Sequence, residues 1–336
     1  MRVAAFTGGP AVPSARFRVR QFIAPLADEG IAVRELGHGG GGLYPPATKW
    51  QRPLWAATRL AALVPDVLAS RQYDAVLLQR EMLSSFATLE RFTGRSRIFD
   101  VDDAIHLLRG GRFARWIAQG CDQVIAGNDY LAEWYSQWNP RVTVLPTAID
   151  TDRYAPAPRG EDGTVRIGWI GTSGNFPYLQ AIEPALERAM AERSDLHLLV
   201  MADRAPHLPR LDPARVRFQP WSEAGEVAAL QAMDVGIMPL PDDTWTRGKC
   251  SFKMLQYMAC GVPVVVSPTG MNAQVLAGGE IGFGPAGSDQ WTEALLALAD
   301  SAELRHRMGG EGRRLAESTY SVRTIAPRLA QILRGT

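Results

Sequence analysis

Cysteine is scarce in this 336-residue chain, and its scarcity excludes two architectures. Cys121, Cys250 and Cys260 are odd in number and widely spaced, so they make neither a disulfide framework nor a zinc site. Long apolar runs are also missing. None approaches the ~20 residues that cross a bilayer, and the apolar run in Met1–Gly9 is too short for a signal peptide. A surplus of charge is absent too: 36 basic against 35 acidic residues leave a net charge of +1, which gives no basic field for nucleic acid. The sequence holds no Walker A loop, no G-x-S-x-G elbow, no H-E-x-x-H pair, no short repeat and no low-complexity tract. These absences lead us to expect a cytoplasmic protein of a reducing compartment, without a transmembrane segment. Peripheral contact with a membrane is compatible with them, and oligomeric state is left open.

What is present is an alternation of short apolar strands and helix-length intervals. Strands are expected at Val3–Phe6, Ile31–Leu36, Ala75–Leu78, Arg97–Val101, Gln123–Ala126 and Val142–Leu145, with helices at Phe17–Leu26 and from about Trp50 to Ser70. Residues 38–46 read as a flexible glycine-rich loop. Residues 150–163 are polar, proline-containing and without periodicity, as a linker would be. The alternation then restarts: strands at Val165–Ile170, His197–Met201, Val216–Gln219 and Val235–Met238, helices near Tyr178–Glu192 and Glu223–Met233, and a last helix at about Val322–Leu333. Strands at this spacing imply parallel sheets covered by helices. The expected division is residues 1–155, residues 164–320, and a C-terminal segment 321–336 crossing back to the first domain.

The most informative stretch is residues 249–269, KCSFKMLQYMACGVPVVVSPT. Met254, Leu255, Met258 and Ala259 share one helical face, the helix stops at Gly261, and Pro263 opens a valine strand. Lys253 and Gln256 fall near the front of the helix, where free N–H groups and the helix dipole favour anions. The string K-M-L-Q-Y-M-A-C-G-V-P-V-V resembles the nucleotide-sugar signature of GT-B glycosyltransferases of the group 1 type, family 4 in particular, usually written K-x-x-E-Y-M-A-x-G-x-P-V-V. The resemblance implies an α/β GT-B fold, two Rossmann-like doubly wound domains facing each other across a cleft. It implies transfer of a sugar from a nucleoside-diphosphate donor to an acceptor hydroxyl, with retention of configuration and without an essential metal. The first domain would hold the acceptor and the second the donor. No other cofactor is implied, and the sugar, the base and the acceptor (polysaccharide, lipid-linked or secondary metabolite) stay open.

The resemblance also implies roles for particular residues. Gly171, Thr172, Ser173 and Asn175 follow the first strand of the second half in a G-W-I-G-T-S-G-N loop similar to one branch of the family; they would bind the donor. Lys253 would stabilise the leaving phosphate, with Lys249 and Arg247 adding positive charge. Gln256 stands where the family has a glutamate for the ribose hydroxyls, and Gly248 stands where a second glutamate is common. In the first half, Gly8 and Gly9 would let the backbone meet the donor phosphates or the acceptor, and His106 would contact the donor sugar. Arg16 and Arg18 would either face an acceptor or form an exposed helix face. Asp100, Asp102 and Asp103 end a strand. Helix capping by Asp102 or Asp103, or a donor contact by Asp103, is preferred there over a D-x-D metal site. Trp169, Trp221 and Trp245 would stack on a base or sugar, or belong to the core. Two competing functions remain: a nucleotide-sugar epimerase, which would act without acceptor, and a non-catalytic accessory protein, which the missing glutamates favour.

Overall fold

The computed structural model describes residues 1–10, 12–37, 45–158 and 163–335. The expected loop at 38–46 falls mostly outside them, as does 159–162 of the expected linker. The chain divides into two compact units. The first comprises residues 1–148, 247–250 and 322–336; the second comprises 149–246 and 251–321.

The first unit is built on β1 (Arg2–Phe6), β2 (Ala32–Leu36), β3 (Ala75–Gln79), β4 (Arg97–Val101), β5 (Gln123–Ala126) and β6 (Val142–Val144). They form one sheet in the order β2-β1-β3-β4-β5-β6, and every pairing is parallel. Its central strands are buried on both faces, which is why they read as unbroken apolar runs. The last helix, Val322–Arg334, puts Ile325, Leu329 and Leu333 into the same core as Val3, Leu77 and Ile98.

The second unit repeats the plan with β7 (Val165–Ile170), β8 (Leu196–Ala202), β9 (Val216–Pro220), β10 (Val235–Met238), β11 (Val264–Val266) and β12 (Gly282–Phe283). Its order is β12-β11-β10-β7-β8-β9, also parallel throughout. In each sheet the winding reverses beside the first strand, between β1 and β3 and between β7 and β10. Such a reversal opens a crevice at the carboxyl ends of the strands, where doubly wound sheets take ligands.

The helix Phe252–Ala259 ends as its sequence requires. Gly261, at φ +67°, takes the left-handed position. Its N–H bonds the Met258 carbonyl at 2.9 Å, and the Val262 N–H bonds the Tyr257 carbonyl at 2.9 Å, closing a Schellman motif. Pro263 then leads into three buried valines. Elsewhere proline divides what reads as continuous helix. Around Tyr178–Glu192 there are two helices, Phe176–Ala181 and Glu183–Glu192, the second with a proline in its first turn. Among the described residues no helix is long and apolar enough to cross a membrane.

Candidate functional site

In the second unit the carboxyl end of β7 meets the helix Phe252–Ala259. Tyr257 ties this place together: its hydroxyl accepts from the Ile170 N–H at 3.1 Å and donates to the Ile237 carbonyl at 3.2 Å. It thereby bridges β7 and β10 at the reversal of the sheet, and burial raises its pKa. Trp169 is core, its ring tilted at 43° to that of Phe176 with centres 5.6 Å apart. The Lys253 ammonium lies 5.3 Å from the centre of its ring. Gly171 makes this possible. A Cβ there would sit 2.6 Å from the Trp169 ring and 3.0 Å from the Lys253 Cε, so only glycine lets the lysine stem cross the loop. Sequence reasoning named Gly171 and Lys253 separately; the structure brings them into contact.

The rest of the loop is braced from within. Ser173 donates its N–H to Asp203 Oδ1 at 2.5 Å and its hydroxyl to Oδ2 at 2.7 Å, and these bonds hold the Asp203 carboxyl below its usual range. Asn175 donates to Thr172 Oγ1 at 2.9 Å. Ser173 thus keeps only accepting capacity for a ligand, while exposed Thr172 still has a hydroxyl to donate. Asp203 was not legible beforehand, because it lies 30 residues away on the far side of β8.

Ser251, the N-cap of the Phe252–Ala259 helix, sits at φ +52°, unusual for a residue other than glycine. Its hydroxyl is turned to Asn272 at 2.6 Å, so it caps nothing. Gln256 is 2 % exposed, and its Nε2 has no hydrogen-bond partner. An unmet buried donor costs about 1–3 kcal/mol, which an acceptor on a ligand would relieve.

The sequence has three lysines, Lys49, Lys249 and Lys253, two of them in this stretch. Arg247 and Lys249, however, belong to the short segment that packs with the first unit. Asn128 Nδ2 donates to the carbonyls of both, at 3.2 and 3.1 Å. Cys250 donates its Sγ–H to the Asp102 carbonyl at 3.1 Å. Gly248 has no room for a side chain: a Cβ would lie 2.6 Å from the Ala104 Cβ and 3.0 Å from its backbone nitrogen. The glutamate expected from the family pattern is absent here for a packing reason.

The aspartate triplet of the first unit is committed to arginines. Asp100 and Arg18 form a bidentate pair, Nε to Oδ2 at 3.0 Å and Nη2 to Oδ1, with both side chains 3 % exposed. Arg18 also donates to the Leu145 carbonyl at 2.9 Å. Arg18 is therefore neither an acceptor contact nor part of an exposed face, as the sequence suggested. The alternation of basic and apolar residues that pointed outward reflects a helix whose arginine meets a carboxylate 82 residues away. Arg80, at φ +62°, pairs with Asp102 at 2.6 Å and Asp103 at 3.4 Å. Asp103 otherwise accepts only from the next N–H, Ala104, at 3.0 Å, so it caps no helix. Among the described residues no group of three potential metal-binding side chains occurs.

His106 is buried and stacked on Trp134 with ring centres 4.8 Å apart, and its Nδ1 is unpartnered. Burial pushes its pKa down to about 4, so it is neutral at pH 7. Gly8 and Gly9 follow β1 at the first sheet's reversal, where the Gly9 N–H bonds Thr7 Oγ1 at 3.1 Å. Trp221 is exposed and donates its indole N–H to Glu226 at 3.2 Å. Trp245 is half-buried.

Residues 167–301 match the family model described as glycosyl transferases group 1. A GDP-mannose-dependent alpha-(1-6)-phosphatidylinositol monomannoside mannosyltransferase of Mycolicibacterium smegmatis is 29 % identical over 219 residues, covering 57 % of this chain and 56 % of that protein. This chain thus spans little more than half the length of that relative. Over whole chains, a sucrose-phosphate synthase from Thermosynechococcus elongatus superposes with a TM-score of 0.73 at 17 % identity, covering 99 % of this chain and 98 % of that one. Anabaena Alr3699/HepE, solved in complex with UDP and glucose, superposes with a TM-score of 0.70 at 14 % identity over all of both chains. At these identities the structural likenesses speak for the fold alone, and that fold is the two-domain α/β GT-B fold.

Proposed function

We propose, from a chain whose residues 167–301 belong to the group 1 glycosyl transferases, that this protein moves a sugar from a nucleoside-diphosphate donor to an acceptor hydroxyl. The observation that carries the reading is the junction at the carboxyl end of β7, where Gly171, Lys253 and Tyr257 meet inside the matched segment. Lys253, in the first turn of its helix, supplies a cation at the positive end of the helix dipole. Charge that develops on a departing diphosphate is stabilised by groups already in place, and stabilisation of that kind lowers the barrier directly.

In this reading configuration is retained. The leaving phosphate, held by Lys253, draws the proton from the acceptor hydroxyl as the new bond forms on the same face, and no protein nucleophile is required. No metal is required either, a view supported by the pairing of Asp100, Asp102 and Asp103 with Arg18 and Arg80. Gln256 meets the ribose as a neutral group, and neutral His106 offers the sugar an uncharged hydrogen-bonding partner. Acceptor choice falls to the first unit. The relative named above makes GDP-mannose the first donor to try, and the Alr3699/HepE complex makes UDP-glucose the second.

The test starts with melting in the presence of GDP, UDP, ADP and dTDP, with and without Mg²⁺. A ligand at about 100 times its Kd stabilises the folded state by about 2.7 kcal/mol. One diphosphate should raise the melting temperature without metal, and the matching sugar nucleotide should then support transfer. A shift that needs Mg²⁺ defeats the metal-independent reading. Tight binding with no transfer to any acceptor class favours the accessory role, the second reading suggested by Gly248 and Gln256. Donor conversion with no acceptor present identifies an epimerase.

A further inference from the structure

The helix Arg52–Ala69 in the first unit is inverted relative to an ordinary surface helix. Its inward face is Arg59, Leu63 and Val67. Arg59 Nη2 donates to the Gly37 carbonyl at 2.6 Å, and Asp66 accepts from the Gly37 N–H at 2.8 Å, so the inner side carries the polar anchors. At 100° per residue the opposite face reads Trp50, Leu54, Ala57, Ala61, Val64 and Leu68, with Trp50 in the turn that leads into the helix. All six are exposed, Trp50 by 77 %, Leu54 by 69 %, Leu68 by 52 % and Val64 by 43 %. A single exposed apolar side chain is ordinary. A stripe along a helix about 27 Å long is not, since such helices normally turn their polar side outward.

Charge selects the occupant. Between residues 45 and 73 the one carboxylate is Asp66, which is turned to Gly37. Lys49 and Arg52 are exposed at the N-terminal end of the helix, Arg52 beside the stripe with its guanidinium on the Pro46 carbonyl at 3.1 Å. Arg71 is exposed at the other end, bonded to the carbonyl of Phe92, itself 57 % exposed. A second copy laid antiparallel on this face would set Lys49 and Arg52 against Arg71, cation on cation. We infer that this face docks on an anionic phospholipid surface. The helix lies in the plane of the interface, with Trp50, Leu54, Val64 and Leu68 among the upper acyl carbons and Lys49, Arg52 and Arg71 at the phosphates. The inference is independent of the transferase reading, because binding to vesicles is measured without a sugar donor.

The experiment is flotation of the whole purified chain with vesicles of phosphatidylcholine alone or with about one-third phosphatidylglycerol. The protein should float with the anionic vesicles and far less with the neutral ones. K49Q/R52Q should weaken binding about 30-fold, at about 1 kcal/mol per cation near the surface. L54S/V64S should weaken it by about tenfold or more, from the loss of two buried aliphatic side chains. Both variants should melt like the parent, because the side chains changed are exposed. Failure of the parent to float with anionic vesicles overturns the proposal, as does equal flotation of parent and variants. A dimer on sizing that L54S/V64S dissolves would assign the stripe to a second copy instead, and overturns it too.

Discussion

Asp100→Asn probes what the aspartate triplet is for. The Asp100 carboxylate faces Arg18 with two parallel hydrogen bonds at 3 % exposure of each side chain. Asparagine keeps one acceptor but turns an N–H₂ toward a guanidinium that has only donors. Arg18 would be left as a buried cation with the Leu145 carbonyl at 2.9 Å and Thr147 Oγ1 at 3.4 Å for company. Removing one member of a buried pair costs about 3–5 kcal/mol, whereas replacing both with apolar groups of similar size is near neutral. All four residues belong to the first unit, so calorimetry should show its transition fall by on the order of 10 °C. The transition of the second unit should stay in place. R18M/D100L should recover most of the loss, because no unpaired charge remains. A change under about 2 °C for Asp100→Asn would refute the structural role. So would a double variant as damaged as the single one. Mg²⁺ stabilising the parent and failing to stabilise Asp100→Asn would return the triplet to metal binding.

Lys253→Ala should lower kcat about 100-fold or more while the melting temperature holds, measured by steady-state transfer at saturating donor; an unchanged kcat removes the lysine from the chemistry. Gly248→Ala should destabilise the first unit by about 1–3 kcal/mol in chemical denaturation, because its Cβ would meet Ala104 at 2.6–3.1 Å. His106 is depressed to about 4 in the folded chain against 6.5 in the unfolded one, so the unfolded chain binds the extra proton. Its contribution is whole above about pH 6.5, and about 3 kcal/mol is lost as pH falls to about 4. His106→Phe, which keeps the stack on Trp134, should flatten that part of a pH–stability profile; an unchanged slope would show that other groups set it.

The β-strands at Arg97–Val101, Gln123–Ala126, Val165–Ile170 and Val235–Met238 are where the sequence places them, residue for residue. Buried parallel strands are short apolar runs bounded by turn residues, and that signal is local. The stop at Gly261-Val262-Pro263 is legible for the same reason, since a left-handed cap followed by proline leaves the chain few choices. Other features depend on distant partners. The two-residue strand β12 has no pattern of its own and exists because Val264 and Val265 offer it an edge. Residues 247–250 read as part of the donor loop, yet the Arg247 and Lys249 carbonyls are held by Asn128 and the Cys250 thiol by the Asp102 carbonyl, more than 100 positions earlier. In the candidate site, the residue types announced Gly171 and Lys253, while Tyr257 lay inside the matched string without a role. Its hydroxyl matters because two strands converge on it, which spacing alone does not reveal.

The two missing glutamates have different physical meanings. At 248 no side chain fits, so the main chain takes a close contact with Ala104 in place of a carboxylate. At 256 the side chain is kept at nearly full length, but the charge is gone and a donor nitrogen is left unmet. Where the family pattern has Glu, Lys and Glu, a net charge of −1, this chain has Gly, Lys and Gln, a net charge of +1. Under the proposed function, diphosphate binding should then weigh more than ribose recognition, because fewer carboxylates oppose the phosphates. Gln256→Glu separates the two contributions. A charged acceptor strengthens a ribose hydroxyl bond by about 1 kcal/mol, so the variant should discriminate a ribonucleoside diphosphate from its 2′-deoxy form about fivefold better than the parent. Equal discrimination in parent and variant, measured by titration calorimetry, would mean that the Gln256 side chain does not meet the ribose at all.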